Sequence, residues 1–404
     1  MLTRQELTEA ARAAADKKAA KGSDIDLSAY AGSSGQRPPA EQELGPADRE
    51  RLSLAGMNLD DSERSASYLM RDASIMHVKN FQQDVEVLPL KQALEEHAWV
   101  REHYWRLVAV DSDKYTAAVE LDLHDGYVIR AKEGARGFFP VQACMYMDTE
   151  GQQQNVHNII IAEPGSELHV ISGCATGTHL DSGAHLGVTE YYVGRDAKLS
   201  FTMIHNWAQR MAVRPRSAAR VEAGGQFINN YISLQPVESL QTDPVVELAG
   251  PDAGARLYSI LVGHPGTALD VGGQVTLGHA GNRAEVVSRA ISNGGHITAR
   301  GHLRGTAADI KAHLECHGLI LNGGAIHAIP ELEGHVDGVD MSHEAAVGKI
   351  AQEEIAYLMA RGLDEQTATA AIVRGFLDVD MPGLPPALKA EIDRAVDTTN
   401  REAL

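Results

Sequence analysis

Short runs of alternating apolar and polar residues recur through the middle of the chain at a nearly constant interval. From Ala118 onward each run is bounded by Gly, Asp, Asn or Pro, as is typical of β-strands that end in tight turns. The apolar residues that begin successive runs are 31, 28, 30 and 29 residues apart: Leu168, Leu199, Phe227, Leu257 and Val286. Strands without helical crossovers at a period near 30 favour a parallel β-helix, and an irregular all-β sandwich is the alternative.

The segments on either side of this repeat have helical patterns. Thr3 and Glu6 form a capping box before an alanine-rich helix, and a linker rich in Pro, Gly and Ser follows. Near the other end, Ser342 and Asp364 are suitable N-caps for two helices, which we expect to cover the last coil. The predicted organisation is a helical segment and linker (1–75), a small mixed α/β module (76–120), the β-helix (121–335) and a C-terminal helical domain (336–404).

Composition excludes several classes of function. The 404 residues carry a formal net charge of −19, which opposes a phosphate-binding surface, so we expect no nucleic-acid partner. The sequence shows neither a secretory signal pattern nor an apolar run long enough to span a membrane, so we expect a cytoplasmic protein without membrane contact. The three cysteines form no CxxC pair. Any metal site must therefore use mixed ligands or two chains.

Four stretches resemble the SufB/SufD family of iron–sulfur cluster assembly scaffolds. The most specific is the C-terminal "MSHEAAVGKIAQEEIAYLMARGLDEQTATAAIVRGFL". The others are "LILNGGAIHAIPELEG", "NIIIAEPGSELHVISGC" with the later "KLSFTMIHNW", and "GYVIRAKEGARGFFPVQ". Together they extend from about residue 76 to 380, and the N-terminal module is matched weakly.

The resemblance implies a right-handed parallel β-helix between small helical domains. It also implies that two subunits meet through the β-helix ends, as a homodimer or as a SufB–SufD heterodimer. The helices from Ser342 to Phe376 would dock SufC, an ABC-type ATPase, since the chain itself has no Walker A motif. The remaining partners would be a sulfur donor and recipient apoproteins. The cargo would be an iron–sulfur cluster of the [4Fe-4S] or [2Fe-2S] type.

The resemblance also assigns a sulfur route. Cys174 corresponds to the family's internal sulfur-accepting cysteine and could carry persulfide if its neighbours depress its pKa. Its alternative role is that of a small apolar core residue. His205, Asn206 and Trp207 occupy the triplet of a polar, aromatic tunnel wall, with His205 in place of the usual Gln. A family lysine is replaced near Pro215 and Arg216, which also departs from the pattern.

The cluster ligands are predicted near the C-terminal end of the repeat. The family's interface cysteine aligns with Gly324, so Cys316 is the substitute, with His343 and Glu344 as nitrogen and oxygen ligands at a helix start. A buried Cys316 and a solvated first helical turn are the alternatives. Four nearby histidines are candidate accessory ligands: His313, His317, His327 and His335. Cys144 matches no functional position, so we expect it in the core.

Two other functions fit the same residues. A SufD-like partner subunit would bind the ATPase and carry no cluster, and the missing Gln, Lys and Cys favour it. A β-helix enzyme, either a carbohydrate-active lyase or a metal hydrolase, is the second. It is disfavoured because the sequence shows neither the signal peptide of a secreted lyase nor an evident cleft of acidic and basic residues.

Overall fold

Stacked short strands form most of the chain. The computed structural model describes residues 3–30, 44–57, 59, 62–137 and 139–377. It is mainly β, with 48% of residues in strands, and forms a parallel β-solenoid of about 8 turns flanked by helices. The parallel β-helix predicted from the repeat period is confirmed.

Two sheets form the walls of the solenoid, and each chain turn contributes to both. The first sheet contains, in spatial order, β2 (Ser74–Asn80), β1 (Ala66–Arg71), β5 (Val141–Met147), β7 (Glu167–Thr176), β9 (Lys198–Asn206), β12 (Gln226–Ser233), β15 (Gly254–Gly263), β18 (Arg283–Asn293), β20 (Ile310–Leu321) and β22 (Val339–Gly348). The second contains β3 (Val85–Pro89), β4 (Tyr127–Ala131), β6 (Gln153–Ala162), β8 (Ser182–Val193), β10 (Arg210–Val213), β11 (Arg216–Val221), β13 (Ser239–Thr242), β14 (Val245–Leu248), β16 (Ala268–Val271), β17 (Gln274–Leu277), β19 (His296–Gly305) and β21 (Ala325–Gly334). Apolar side chains from both sheets fill the space between them.

Helices lie outside these two walls. Those in the described residues are α1 (Arg4–Ala13), α2 (Pro46–Leu54), α3 (Leu90–Glu96), α4 (Ala98–Arg101), α5 (Lys114–Leu121), α6 (Gln352–Ala360) and α7 (Glu365–Leu377), together with a 3₁₀ turn at Leu27–Ala29. The capping box of Thr3 and Glu6 begins α1, as predicted. Across the described parts of the chain, no helix is long and apolar enough to cross a membrane.

The strand register explains why the sequence repeat is slightly irregular. Leu168, Leu199 and Phe227 lie side by side in one column of the first sheet. Phe227 pairs with Ala255, so Leu257, and Val286 beside it, stand two residues further along their strands. Since side chains alternate with a period of 2, a two-residue offset keeps all five on the inner face.

Prolines and glycines interrupt the middle of the second sheet. Pro215 separates β10 from β11, Pro244 separates β13 from β14, and Gly272 and Gly273 separate β16 from β17. Proline cannot donate a hydrogen bond to a strand ladder, so it interrupts the strand where it occurs. The three interruptions lie side by side in neighbouring turns of the solenoid. The last two strands of this wall, β19 and β21, are continuous and pair over ten residues.

Several local predictions are wrong. The "AAVELDL" segment, expected as a strand, mostly belongs to α5. The helix expected from Ser342 is β22, which pairs with β20 in parallel and extends the ladder beyond residue 335. The apolar pattern that predicted a helix is equally compatible with a short strand. Pairing with the alternating residues of β20 decided that this segment forms a strand. Asp364 does cap α7, through a 2.7 Å bond from the Thr367 N–H. Residues 378–404 of the predicted C-terminal domain lie outside the described residues.

Helix α7 packs against the first sheet, whereas the sequence predicted that it would cover the last coil. Val373 and Leu377 of α7 are buried on the outer face of the first sheet. They share an apolar cluster with one isoleucine from each of five consecutive strands: Ile171, Ile204, Ile232, Ile260 and Ile291. Strands β21 and β22 therefore remain as the end of the solenoid, and in the described part of the chain no further strand pairs with them.

Candidate functional site

Cys174 lies on β7 and faces the interior of the solenoid. Its neighbours in the ladder are Met145 on β5 and His205 on β9. The thiol is 1% exposed and lies 3.8 Å from the sulfur of Met203. Burial raises the pKa of Cys174 far above its usual range, which is opposite to the depressed pKa that the sequence interpretation required. A thiolate at this position needs a change in its surroundings.

Two buried histidines and a tryptophan adjoin this cysteine. The Trp207 ring lies 4.9 Å from the ring of His185 and 5.6 Å from that of His205. His185 Nδ1 contacts Gln154 Oε1 at 2.9 Å, and His205 Nδ1 contacts Tyr231 Oη at 3.4 Å. Burial lowers the pKa of each histidine to about 3, with the positive charge of a nearby histidine as the second cause. Both rings are therefore neutral at physiological pH.

Other residues of the predicted route face away from the interior. Asn206 donates to the backbone carbonyl of Arg51 at 3.4 Å, on the outer side where α2 packs. Arg216 extends outward as well, and its Nε contacts Asp113 Oδ2 at 2.8 Å. Adjacent residues of a strand point to opposite faces, so a triplet cannot line one wall completely.

A column of polar and sulfur-bearing side chains connects Cys174 with Cys316 along the inner face. We call it the inner column, and in ladder order it contains Ser172, Met203, Tyr231, Ser259, Ser288 and Cys316. Five strand spacings of about 4.8 Å separate its ends, a span of about 24 Å. From Met203 onward its members are 28 or 29 residues apart. The repeat period could have revealed them, but the sequence interpretation applied it only to apolar residues.

Polar atoms without hydrogen-bond partners accompany the inner column. Asn229 Oδ1 and Ser288 Oγ are buried and unpartnered among the described residues, as is Trp207 Nε1. Tyr231, Ser259 and Ser288 help to line a cavity of about 20 Å³. That volume is sufficient for one water molecule, which such polar atoms would require. The interior is therefore compatible with a small polar guest between the two cysteines.

The three predicted cluster ligands are divided between two faces. Cys316 is 2% exposed on the inner face of β20, where burial and then the charge of Glu315 raise its pKa to about 11. His343 pairs in register with the buried Leu314, so it shares that inner face. Glu344 pairs with Glu315 on the outer face. Both His343 and Glu344 are exposed and belong to a strand, not to a helix start.

Gly324 cannot hold a cysteine in this conformation. A Cβ atom there would lie 1.8 Å from Ser292 Oγ and 2.8 Å from the carbonyl oxygen of Gly295. Any side chain at this position must displace the β18–β19 connection. The close packing around Gly324 thus leaves no room for the cysteine that the resemblance places at this position.

The remaining candidates lie away from Cys316. His313, His317, His327 and His335 are all on the outer side, where they contact serine, glutamate or solvent. Cys144 is buried between the first sheet and α2, as expected of a core residue. Among the described residues, no group of three or more His, Cys, Asp or Glu side chains is arranged to hold a metal ion.

Comparison with known proteins agrees with the fold and the interior. The fold and site define a parallel β-solenoid protein with cysteines and histidines buried in its interior. The family described as the SUF system FeS cluster assembly, SufBD core domain, matches residues 145–376. The chain therefore belongs to the SufBD family of iron–sulfur cluster assembly proteins.

Relatives of similar length support this assignment. The chain is 44% identical over 397 residues to an iron–sulfur cluster assembly SufBD family protein of Methanothermobacter thermautotrophicus, covering 96% of this chain and 97% of the relative. It is 46% identical over 363 residues to one of Archaeoglobus fulgidus, covering 90% and 97%. It is 27% identical to the iron–sulfur cluster assembly protein SufB of Bacillus subtilis, covering 87% of this chain and 76% of SufB.

Proposed function

We propose that this chain is the scaffold subunit of a SUF-type complex and assembles an iron–sulfur cluster between two subunits, with ATP hydrolysed by a SufC-like partner. The inner column carries this proposal. It begins beside a buried cysteine and ends at a second one next to the last strand; between them, among the described residues, Ser288 Oγ in the column and Asn229 Oδ1 near it have no hydrogen-bond partner. A purely structural core would be expected to fill these positions with aliphatic residues.

Sulfur would enter at Cys174. A donor persulfide would transfer its outer sulfur to the Cys174 thiol, giving a Cys174 persulfide and leaving the donor as a thiol. His205, which is neutral, is the ladder neighbour of Cys174, and the Trp207 ring lies beside it as an aromatic wall. Because Cys174 is buried, delivery requires local opening, which an ATP-driven movement of the complex would provide.

The cluster would form where two copies of this chain meet through their final strands. An edge strand presents unpaired backbone groups, and a two-fold axis would bring one patch against itself. Cys316 and His343 would then meet their mates and supply two thiolates and two imidazoles. Glu344 lies on the outer face of the same strand, where its side chain is 64% exposed. A SufB–SufD type heterodimer is the second arrangement.

The ATPase would bind the exposed side of α6. Tyr357 is 59% and Met359 is 42% exposed there, while Ile355 of the same helix is buried. Exposed large apolar side chains are candidate contacts for a partner. Replacing both Tyr357 and Met359 by Ala should abolish co-purification of the ATPase, while Leu121→Ala, which removes an equally exposed apolar residue far along the chain, should preserve it. Retained binding by the double variant would contradict this docking site.

Anaerobic reconstitution with iron and sulfide tests the scaffold assignment. The wild-type protein should develop visible absorption, and Cys316→Ala should lose most of it. Cys144→Ala is the matched control because it also removes a buried thiol, but from the outer side of the first sheet. Equal colour in Cys316→Ala and Cys144→Ala would contradict the ligand role of Cys316.

A SufD-like subunit without a cluster is the competing function. The buried position and raised pKa of Cys316, together with the close packing around Gly324, favour it. A wild-type protein that stays colourless but still binds the ATPase would support this alternative.

A further inference from the structure

A row of ionisable side chains crosses the outer face of the last three strands of the first sheet. Arg289 on β18 pairs with Glu315 on β20. His317 follows, with Nδ1 3.3 Å from Glu315 Oε1 and Nε2 3.4 Å from Glu344 Oε1 on β22. We call these four residues the charge row. Glu315 and Glu344 are direct ladder neighbours, and the His317 ring contacts both of their carboxylates.

Most of the charge row is shielded from solvent. The side chains of Arg289, Glu315 and His317 are 19%, 18% and 23% exposed, and only Glu344 extends into solvent. Partly buried charges are screened less by water and salt than surface pairs. The shielded members of the row are Arg289, Glu315 and His317, and the contact with His317 connects the exposed Glu344 to them.

The other end of the charge row meets helix α7. The Arg289 guanidinium lies over the ring of Phe376 at 5.8 Å, within the range of a cation–π contact. Phe376 is adjacent to Leu377, which is buried in the cluster on the outer face of the first sheet. The position of α7 is thus connected, by consecutive side-chain contacts, to the strand that carries His343 and Glu344.

We infer that His317 is a positioning residue, which restrains the side chain of Glu344 on the outer face and couples the last strand to helix α7. The functional role of Glu344 in this inference rests on the proposed function, whereas the contact between His317 and Glu344 does not. A movement of α7 that withdraws Phe376 from Arg289 loosens Glu315 and then Glu344. Force applied to the C-terminal helices by a bound ATPase reaches the subunit interface by this path.

Hydrogen exchange of the β22 amides that bond to β20 tests the coupling on the metal-free, full-length protein. His317→Ala should raise their exchange rate about fivefold, which corresponds to about 1 kcal/mol. His317→Gln retains an amide donor near Glu344 and should return the rate to within about twofold of wild type. Lys311→Ala is the matched control, because Lys311 contacts Asp340 on the same two strands at 3.5 Å while both side chains are solvated; it should have no effect.

The link to α7 requires a second variant. Phe376→Ala should raise the exchange rate of the β22 amides two- to threefold, because Phe376 contacts Arg289 at the far end of the row. The double variant Phe376→Ala with His317→Ala should raise the exchange rate of β22 no more than His317→Ala alone, because both substitutions act through the charge row. Purely additive effects, or an unchanged β22 in Phe376→Ala, would overturn the coupling. An unchanged rate in His317→Ala would overturn the positioning role.

These outcomes are independent of cluster assembly. Exchange is measured without iron, sulfide or ATPase, so a colourless protein can still show the coupling. Conversely, a protein that assembles a cluster while His317→Ala leaves β22 unchanged retains the proposed function and loses this inference.

Discussion

Acidification should destabilise the solenoid through His185 and His205, and His205→Gln should remove about half of that sensitivity. Both rings have an ordinary pKa of 6.5 and a folded pKa lowered to about 3 by burial. Below pH 6.5 these two histidines therefore bind protons in the unfolded chain while they remain neutral in the folded chain. The stability that the neutral rings preserve is present above pH 6.5 and is lost as the pH falls from 6.5 towards 3.

The size of the effect follows from these pKa values. Between pH 7 and pH 5, preferential protonation of one unfolded histidine lowers the free energy of unfolding by about 2 kcal/mol. Because pH 5 lies well above the folded pKa, the folded rings take up almost no proton over this interval. Two histidines together contribute about 4 kcal/mol, a large fraction of the stability of a typical domain.

Urea unfolding followed by tryptophan fluorescence at pH 7 and pH 5 measures this loss. Gln at 205 is the residue usual in the family, and its amide can still meet Tyr231. His205→Gln should lose about 2 kcal/mol less than wild type between the two pH values. His327 lies at an exposed outer position. The His327→Gln variant should therefore lose as much free energy of unfolding between the two pH values as wild type. Equal losses in wild type and His205→Gln would refute the reasoning, since all other titrating groups are common to both.

Three further predictions concern packing. Gly324→Cys, which restores the family residue, should not increase iron bound on reconstitution and should lower the free energy of unfolding by about 1–3 kcal/mol, measured in urea, because its Cβ overlaps Ser292. Gly173→Ala should cost a similar amount, since its Cβ would lie 2.2 Å from the carbonyl oxygen of Ala55. In the native protein at pH 8, Cys174 should react with iodoacetamide at least about tenfold more slowly than after denaturation, by mass spectrometry, because it is buried with a raised pKa. Normal stability of either glycine variant, or rapid native labelling of Cys174, would contradict the packing described here.

The repeat was predictable because it depends on a pattern that the ladder itself imposes. Leu168, Leu199, Phe227, Leu257 and Val286 all face the interior, as their spacing indicated. The two-residue offset at Leu257 was not predictable, because an even shift leaves the apolar pattern unchanged. Residues 339–348 were misassigned for the opposite reason: a strand that ends a sheet is exposed on both faces, and its polar residues lack the alternation that identifies a strand.

The sequence identified the candidate residues, but not whether each one lies on the inner or the outer face of its strand. The resemblance identified Cys174, His205 and Trp207, which do adjoin in the interior. It could not show that Asn206 faces α2, or that His343 and Glu344 point in opposite directions, since this depends on whether the segment is a helix or a strand. Ser259 and Ser288 were missed because the repeat period was applied only to apolar residues, although the same spacing places Ser288 beside Cys316 and Ser259 beside Ser288.

Helix α7 changes how the solenoid should melt. In a protein built of stacked turns, each turn contacts only its neighbours, so the ends can unravel one turn at a time. Val373 and Leu377 join a cluster whose isoleucines come from five consecutive turns, so the same helix stabilises turns that do not touch one another. A helix of this length, about 20 Å, is as long as the five strands are wide. The turns from β7 to β18 should therefore unfold in one cooperative transition, and detaching the helix should turn that transition into a gradual one.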